Sequence, residues 1–199
     1  MICNNTAQIS GVVKSRQIGL KFECTEAVSA AVVDVERASG TTDEILVIAE
    51  DDQLGSVQEG DYVLVDGCVR ISRLQGGRRI VVFVLALKTE VLKYHEKRDI
   101  NVITVQGQLG TTRYKKLTSH RKILVNCVLT VPGFYKNRNA MLPCLFWGSV
   151  GDDVYSLPYN TWVKAEGRLQ SREYLKDMSD GFEKVIVREF SICSAVWDG

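Results

Sequence analysis

The 199-residue chain has few of the side chains from which metal sites and catalytic centres are usually built. It holds only two histidines, His95 and His120, and its six cysteines lie far apart without a C-x-x-C pair. The sequence therefore favours neither a zinc site nor a disulfide framework. It also lacks G-x-x-x-x-G-K-[ST], H-E-x-x-H and G-x-S-x-G, the signatures of common nucleotide-binding and hydrolytic sites. We expect a protein that is not an enzyme and that needs no cofactor or metal.

A membrane segment and a secretory leader are also missing from the sequence. No run approaches about 18 consecutive apolar residues, and the first residues show no basic stretch followed by an apolar one. Because most cysteines lie within apolar runs, they fit reduced core side chains better than secreted disulfides. These features predict a cytoplasmic protein with no membrane partner.

The chain does contain a long internal repeat. The segment around Gly11 is matched by the segment around Gly107, 96 positions later, and the segment around Gly67 by the segment around Gly167, 100 positions later. Solenoid units are only about 20 to 50 residues long, so a repeat of this length indicates a duplicated domain. The division gives three segments: a first unit (residues 1–87), a charged linker (88–100) and a second unit (101–199).

Each unit has the pattern of a small all-β barrel. Apolar residues recur with a period of two or in short β-branched runs, as in residues 62–65 and 123–129, and turn signals such as Pro132-Gly133 separate these runs. About five strands per unit, with at most one short helix, suit a closed five-stranded barrel of the oligonucleotide/oligosaccharide-binding (OB) type. An SH3-like barrel or a small sandwich is the alternative.

The two units differ in charge. Residues 1–98 hold 12 Lys and Arg against 14 Asp and Glu, a net charge of −2, whereas residues 99–199 hold 13 against 10, a net charge of +3. The second unit is therefore the better candidate for an anionic partner.

Three segments of the second unit follow one another in the order and spacing of a known family. They are Asn101-x5-Gly107-x-Leu109, Cys144–Gly148, and Trp162–Tyr174 with its Gly167-x-Leu169-x-x-Arg172-x-Tyr174 pattern. In these segments the unit resembles the first, third and fourth strands of the bacterial single-stranded DNA-binding proteins, which implies an OB-fold that binds single-stranded DNA. The first unit keeps the glycines but has an aliphatic stretch around Ile48 and Leu74-Gln75 where the second has Trp147 and Tyr174.

Binding of a single strand without sequence preference needs rings on which bases stack and cations that follow the phosphates. On the strands, the resemblance and the period of two select five residues: Trp147, Arg168, Arg172, Tyr174 and Lys176. If the fourth strand alternates, Arg168, Gln170 and Arg172 share one face. In the expected loops, basic clusters with aromatic residues add Arg113, Tyr114, Lys115, Lys116, Arg121, Tyr135, Lys136 and Arg138. Trp147 could instead belong to the core, and the charged clusters could be ordinary solvated loops.

The sequence thus predicts a tandem OB-fold protein that binds single-stranded DNA without sequence specificity, in DNA replication, recombination or transfer. Two alternatives stay open: an OB-fold interaction or oligomerisation module of a replication complex, which the acidic first unit favours, and an RNA-binding protein. We also expect a homodimer with four OB-folds, because pairing covers apolar or edge surfaces of barrels. The family's acidic, partner-recruiting tail is not expected, since the sequence stops at Gly199 directly after the last predicted strand.

Overall fold

A computed structural model describes residues 5–21, 27–49, 52–73, 80–96, 98–132, 139–178 and 181–197. The first half contains β1 (Asn5–Lys21), β2 (Ala27–Glu36), β3 (Thr42–Ala49), a short 3-10 turn (Asp52–Leu54), β4 (Tyr62–Arg73) and β5 (Ile80–Leu92). The second half contains β6 (Asn101–Leu117), β7 (Ile123–Val131), β8 (Ala140–Trp147), α1 (Gly148–Ser156), β9 (Trp162–Met178) and β10 (Gly181–Trp197). Among the described residues, no helix is long and apolar enough to span a membrane.

Each half closes into a five-stranded barrel. The first barrel has the strand order β2-β3-β5-β4-β1 and is closed by pairing of β1 with β2; the second has the order β6-β7-β8-β10-β9 and is closed by pairing of β6 with β9. The pairs β3–β5 and β8–β10 are parallel, and the other pairs are antiparallel. The prediction of two tandem all-β OB-type barrels is confirmed.

Alternation along the strands places the cores. In β7, Val125, Cys127 and Leu129 point inward and pack in the main apolar cluster with Phe146 and Phe190, while the residues between them face outward. This cluster contains residues of both barrels, so their cores are continuous.

The repeated glycines lie where two strands approach closely. A β-carbon on Gly67 would overlap the backbone oxygen of Leu85, and one on Gly167 would overlap that of Ser191. At Gly107 the approach is less severe, because the β-carbon would lie 2.8 Å from the backbone oxygen of Thr130. The strands can bend at these positions only if the side chain is absent.

The two barrels are joined by antiparallel pairing of β1 with β6, which makes one continuous ten-stranded sheet. Residues 5–9 run against residues 105–101, with Ala7 opposite Ile103 at the centre. Ala7 and Ile103 are also equivalent in the 96-residue repeat. The pairing is therefore symmetric: exchanging the two strands gives the same register, as an approximate two-fold axis requires.

Two asparagines at the start of β1 and β6 make the same contact in each barrel. Asn5 Nδ2 donates to the carbonyl oxygen of Val69 at 2.7 Å, and its Oδ1 accepts from the amide of Val69 at 2.9 Å. Asn101 does the same with Leu169, at 2.8 and 3.0 Å. Each asparagine side chain thereby pairs with one backbone N–H and one backbone C=O of the adjacent strand, which are groups that need partners when they are buried.

A second contact holds the barrels together at the β9–β10 hairpin. The amide of Ser171 donates to Asp43 Oδ1 at 2.7 Å, and Ser171 Oγ accepts from the amide of Glu44 at 2.8 Å. Arg188 Nε donates to the carbonyl oxygen of Glu44 at 2.7 Å, and burial lowers the pKa of this guanidinium. Asp43 is buried and is also paired with Arg37, so its charge is compensated.

The connection between the barrels is shorter than the sequence suggests. β5 continues to Leu92, so residues 88–92 of the expected linker pair with β4. Further along, Tyr62 stacks on His95 with 4.4 Å between ring centroids, and its hydroxyl donates to Asp99 Oδ1 at 2.8 Å. These contacts hold the connection against the first barrel.

Candidate nucleic-acid interface

A groove of about 540 Å³ lies on the outside of the second barrel, across β6, β7, β8 and the base of the β9–β10 hairpin. We call it the outer groove. Two aromatic residues, Tyr114 and Trp147, and two cations, Lys116 and Arg172, line it. Further lining residues include Leu124, Asn126, Pro143, Leu145, Gln170 and Glu189.

The period of two in β7 and β8 builds the floor of the groove. Val125 faces the core, so Leu124 and Asn126 on either side of it face outward. The antiparallel register then places Leu124 opposite Trp147 and Asn126 opposite Leu145. Side chains directly opposite each other on one face are in contact range, so these four form one continuous surface.

Trp147 lies at the edge of this surface, where β8 ends. Its Nε1 donates to Ser191 Oγ at 3.1 Å, and its ring is partly exposed. The core position in this strand is taken by the buried Phe146 instead. The chain then turns into α1 at Gly148, whose φ of 63° favours glycine. A ring that is held by its edge and partly open to solvent is suited to base stacking.

Arg172 is held within the groove by a carboxylate. Its Nε donates to Glu189 Oε2 at 2.9 Å, and its Nη2 donates to Glu189 Oε1 at 3.3 Å. This hydrogen bonding raises the pKa of Arg172. The guanidinium carbon also lies 5.9 Å from the ring centroid of Tyr174, within the range of a cation–π contact. The ring of Tyr174 is 41% exposed. A guanidinium and a ring are therefore presented together on β9.

The basic cluster at residues 113–116, which the sequence analysis placed in a loop, lies on β6, because this strand continues to Leu117. Its residues therefore alternate between two faces. Tyr114 and Lys116 both line the outer groove, and the ring of Tyr114 is 63% exposed. No carboxylate among the described residues forms an ion pair with Lys116, so its charge is available to an anion.

Arg113 and Lys115 lie on the opposite face of β6, against α1. Arg113 donates to three carbonyl oxygens at and just after the C-terminal end of this helix, at 2.6 to 3.1 Å. Such a cation satisfies carbonyls that have no partner within the helix. Lys115 pairs with Asp152 and lies 5.2 Å from the ring centroid of Tyr155. Both cations are engaged with the helix rather than with the groove.

The remaining candidates are dispersed. Arg168 lines a different cavity, of about 900 Å³, between the two barrels. Lys176 is exposed on the outer part of β9, and Arg121 is exposed in the β6–β7 turn, where its φ is 56°. Three further candidates lie outside the described residues: Tyr135, Lys136 and Arg138.

Several lining residues are neither cations nor rings, and the sequence did not predict them. Asn126 lies between the buried Val125 and Cys127, so alternation along β7 could have identified it. Leu124 and Leu145 are themselves buried next to buried neighbours, so their place in the groove gave no such signal. Glu189 had no such signal, because its place in the groove depends on its being opposite Gln170 across the β9–β10 pair.

At the equivalent face of the first barrel, the described residues are apolar and buried. The repeat and the strand registers give four counterparts of Leu124, Asn126, Leu145 and Glu189. They are Val28, Ala30, Ile48 and Phe83, which form a buried apolar cluster of their own. The amide and the carboxylate of the second barrel are thus replaced by a methyl group and a phenyl ring.

No family model matches the chain, and no curated protein sequence matches it. The wild-type single-stranded DNA binding protein from Thermus aquaticus has a similar structure, with a TM-score of 0.72 at 13% identity, over 98% of this chain and 93% of that one. A deletion mutant of that protein gives a TM-score of 0.70 at 16% identity, over 98% of this chain and 94% of that one. The similarity establishes a shared fold along nearly the whole length of both chains.

Proposed function

We propose that the second barrel binds single-stranded DNA along the outer groove, without sequence specificity. The observation that carries the proposal is the composition of this one groove: Tyr114 and Trp147 offer rings, while Lys116 and Arg172 offer positive charge. Stacking on a ring contributes about 1 to 3 kcal/mol per base and accepts every base, and the cations follow the phosphates. The similar structures are those of a single-stranded DNA binding protein, which supports the proposal.

The first barrel has a different role in this proposal. Its equivalent face is apolar and buried, and its half of the chain carries a net charge of 12 − 14 = −2. Neither property suits a polyanion. We assign the first barrel to assembly, and the whole chain to covering single strands during replication, recombination or transfer.

The assembly that we propose is a homodimer with four barrels. Both barrels are closed, and β1 and β6 already pair with each other within the chain. A second copy would therefore pack against a face of the sheet rather than extend an edge strand. The first barrel would supply most of that face through apolar side chains that are exposed in the single chain, such as Ile80 and Leu87. This arrangement leaves the outer groove open to DNA.

A titration of fluorescently labelled oligo-dT tests the groove. We expect Trp147→Ala to weaken binding by about 1 to 3 kcal/mol, the contribution of one stacked base. Trp162→Ala is the matched control, because this tryptophan is 39% exposed at the start of β9 but does not line the groove. It should leave the affinity unchanged.

Competition identifies the nucleic acid. Unlabelled single-stranded DNA should displace the probe, whereas duplex DNA should not. Equal competition by duplex DNA, or equal losses from the two tryptophan variants, would refute the assignment of the groove. Stronger competition by RNA of the same sequence would identify RNA as the ligand instead.

A further inference from the structure

The ion pair between Arg172 and Glu189 occupies one wall of the outer groove. The side chain of Glu189 is 15% exposed and that of Arg172 is 58% exposed, so the carboxylate lies deeper and the guanidinium lies above it. Both residues line the same groove as Trp147. A strand that stacks on Trp147 would therefore pass close to a carboxylate as well as to a cation.

A carboxylate and a phosphate compete for the same atoms of arginine. The guanidinium presents its N–H groups as a planar fork that either anion can accept with two oxygens. In the present structure this fork is directed at Glu189, at 2.9 and 3.3 Å. A phosphate can use Arg172 fully only if Glu189 gives up at least one of these hydrogen bonds.

The barrel itself does not require a carboxylate at this position. Glu189 lies opposite Gln170, and in the first barrel Phe83 lies opposite Arg70, which is equivalent to Gln170 at the repeat spacing of 100. The first barrel therefore closes with an apolar side chain at the same place. The charge of Glu189 is therefore not needed to close the barrel, and its effect is on the groove.

We infer that Glu189 is a built-in competitor for the phosphate that Arg172 would otherwise bind. It holds the guanidinium in the free protein, lowers the affinity for single-stranded DNA and reduces the number of phosphates that the groove neutralises. This inference rests on the proposed function, since it concerns the regulation of the same site.

The test compares the unmodified chain with two variants that each lack one negative charge. Binding of oligo-dT is measured for the unmodified chain, for Glu189→Gln and for Glu173→Gln. Glu173 is the matched control, because it is adjacent to Arg172 on β9 but pairs with Lys184 on the other face of the hairpin, at 2.6 Å. We expect Glu189→Gln to bind about 3- to 10-fold more tightly near 50 mM salt. Its plot of log K against log salt should be steeper by about 0.7, one additional phosphate contact.

A double-mutant cycle then asks whether the effect passes through the arginine. In a chain that already carries Arg172→Gln, the substitution Glu189→Gln should no longer increase affinity or steepen the salt slope. Glu189→Ala serves the same comparison if Glu189→Gln does not fold, as judged by its thermal unfolding.

The outcomes separate the inference from the function that it extends. If the unmodified chain binds oligo-dT but Glu189→Gln binds equally or less tightly, the inference is wrong, because the carboxylate then positions Arg172 for binding. An equal gain from Glu173→Gln would also overturn it, since the effect would be one of overall charge. If the unmodified chain does not bind single-stranded nucleic acid at all, the proposed function and the inference both fail.

Discussion

Cys127 and Cys144 face each other across β7 and β8 in the lining of the outer groove, and both are buried. Burial disfavours the thiolate, so it raises the pKa of Cys127 to about 12 and that of Cys144 well above its usual range. Because only the thiolate is nucleophilic, the buried Cys127 and Cys144 thiols are expected to be inert near neutral pH. Cys193, by contrast, is exposed.

We therefore expect iodoacetamide to modify Cys193 in the native protein while Cys127 and Cys144 stay protected. The protection of Cys127 should decrease as the pH rises towards 12, and the protection of both cysteines should disappear in guanidinium chloride, where all thiols are accessible. Peptide mass spectrometry gives the extent of modification at each cysteine. Native modification of Cys127 as fast as that of Cys193 would contradict the buried placement.

Lys115 and Lys116 are adjacent in sequence but lie on opposite faces of β6, and they provide a matched pair. For three to five phosphate contacts, the slope of log K against log salt for oligo-dT binding should be about −2 to −3.5. Lys116→Glu should make this slope shallower by about 0.7. Lys115→Glu should leave the slope nearly unchanged, because Lys115 pairs with Asp152 on the side of α1. Equal effects of the two substitutions would show that Lys115 and Lys116 do not lie on opposite faces of β6 in the complex with DNA.

At the scale of the strand, the glycines should differ in how well they tolerate a methyl group. Gly167→Ala would place a β-carbon onto the backbone oxygen of Ser191, whereas Gly107→Ala would leave 2.8 Å to the oxygen of Thr130. Overpacking typically costs about 1 to 3 kcal/mol. We expect Gly107→Ala within that range and Gly167→Ala at or above its upper end, as measured by urea unfolding. The reverse order would mean that β9 and β10 are farther apart than the structure shows.

The sequence predicted the strands well because their period of two is a local property. Alternation around Val125 and Leu129 identifies the core face of β7 from sequence alone, and Gly67 and Gly167 mark the bends. The length of β6 was not predictable in this way, because the polar residues 113–116 resemble a loop. They continue as a strand because residues 113–117 pair with residues 127–123 of β7.

The arrangement of the two barrels relative to each other could not be predicted from the sequence. Pairing of β1 with β6 depends on which strand edges remain free after each barrel has closed, and a single sequence does not encode that choice locally. The contact of Ser171 with Asp43 joins residues that are 128 positions apart. The predicted site residues lie in two different places for the same reason. Arg168 faces the space between the barrels, whereas Arg172 faces the outer groove.

At the scale of the whole molecule, the proposed dimer can be tested by its mass. We expect light scattering at micromolar concentration to give about twice the 22.2 kDa of one chain. Polar substitutions on the surface of residues 1–87 should weaken the dimer more than those in residues 101–196, because the first barrel would form most of the interface. A monomer, or a dimer that only second-barrel substitutions disrupt, would show that the roles of the two barrels are assigned wrongly.

The symmetric register of β1 against β6 also bears on how this chain could have evolved. Because the β1–β6 pairing is unchanged when the two strands are exchanged, two identical subunits could form it. A chain made by fusing two such subunits would keep the same interface. In a homodimer every mutation appears on both sides of the axis, whereas in a fused chain each copy mutates alone. The first copy could then lose its polar face and the second could keep a groove, while the shared strands held both in place. Gene fusion would in this way permit a specialisation that identical subunits cannot reach.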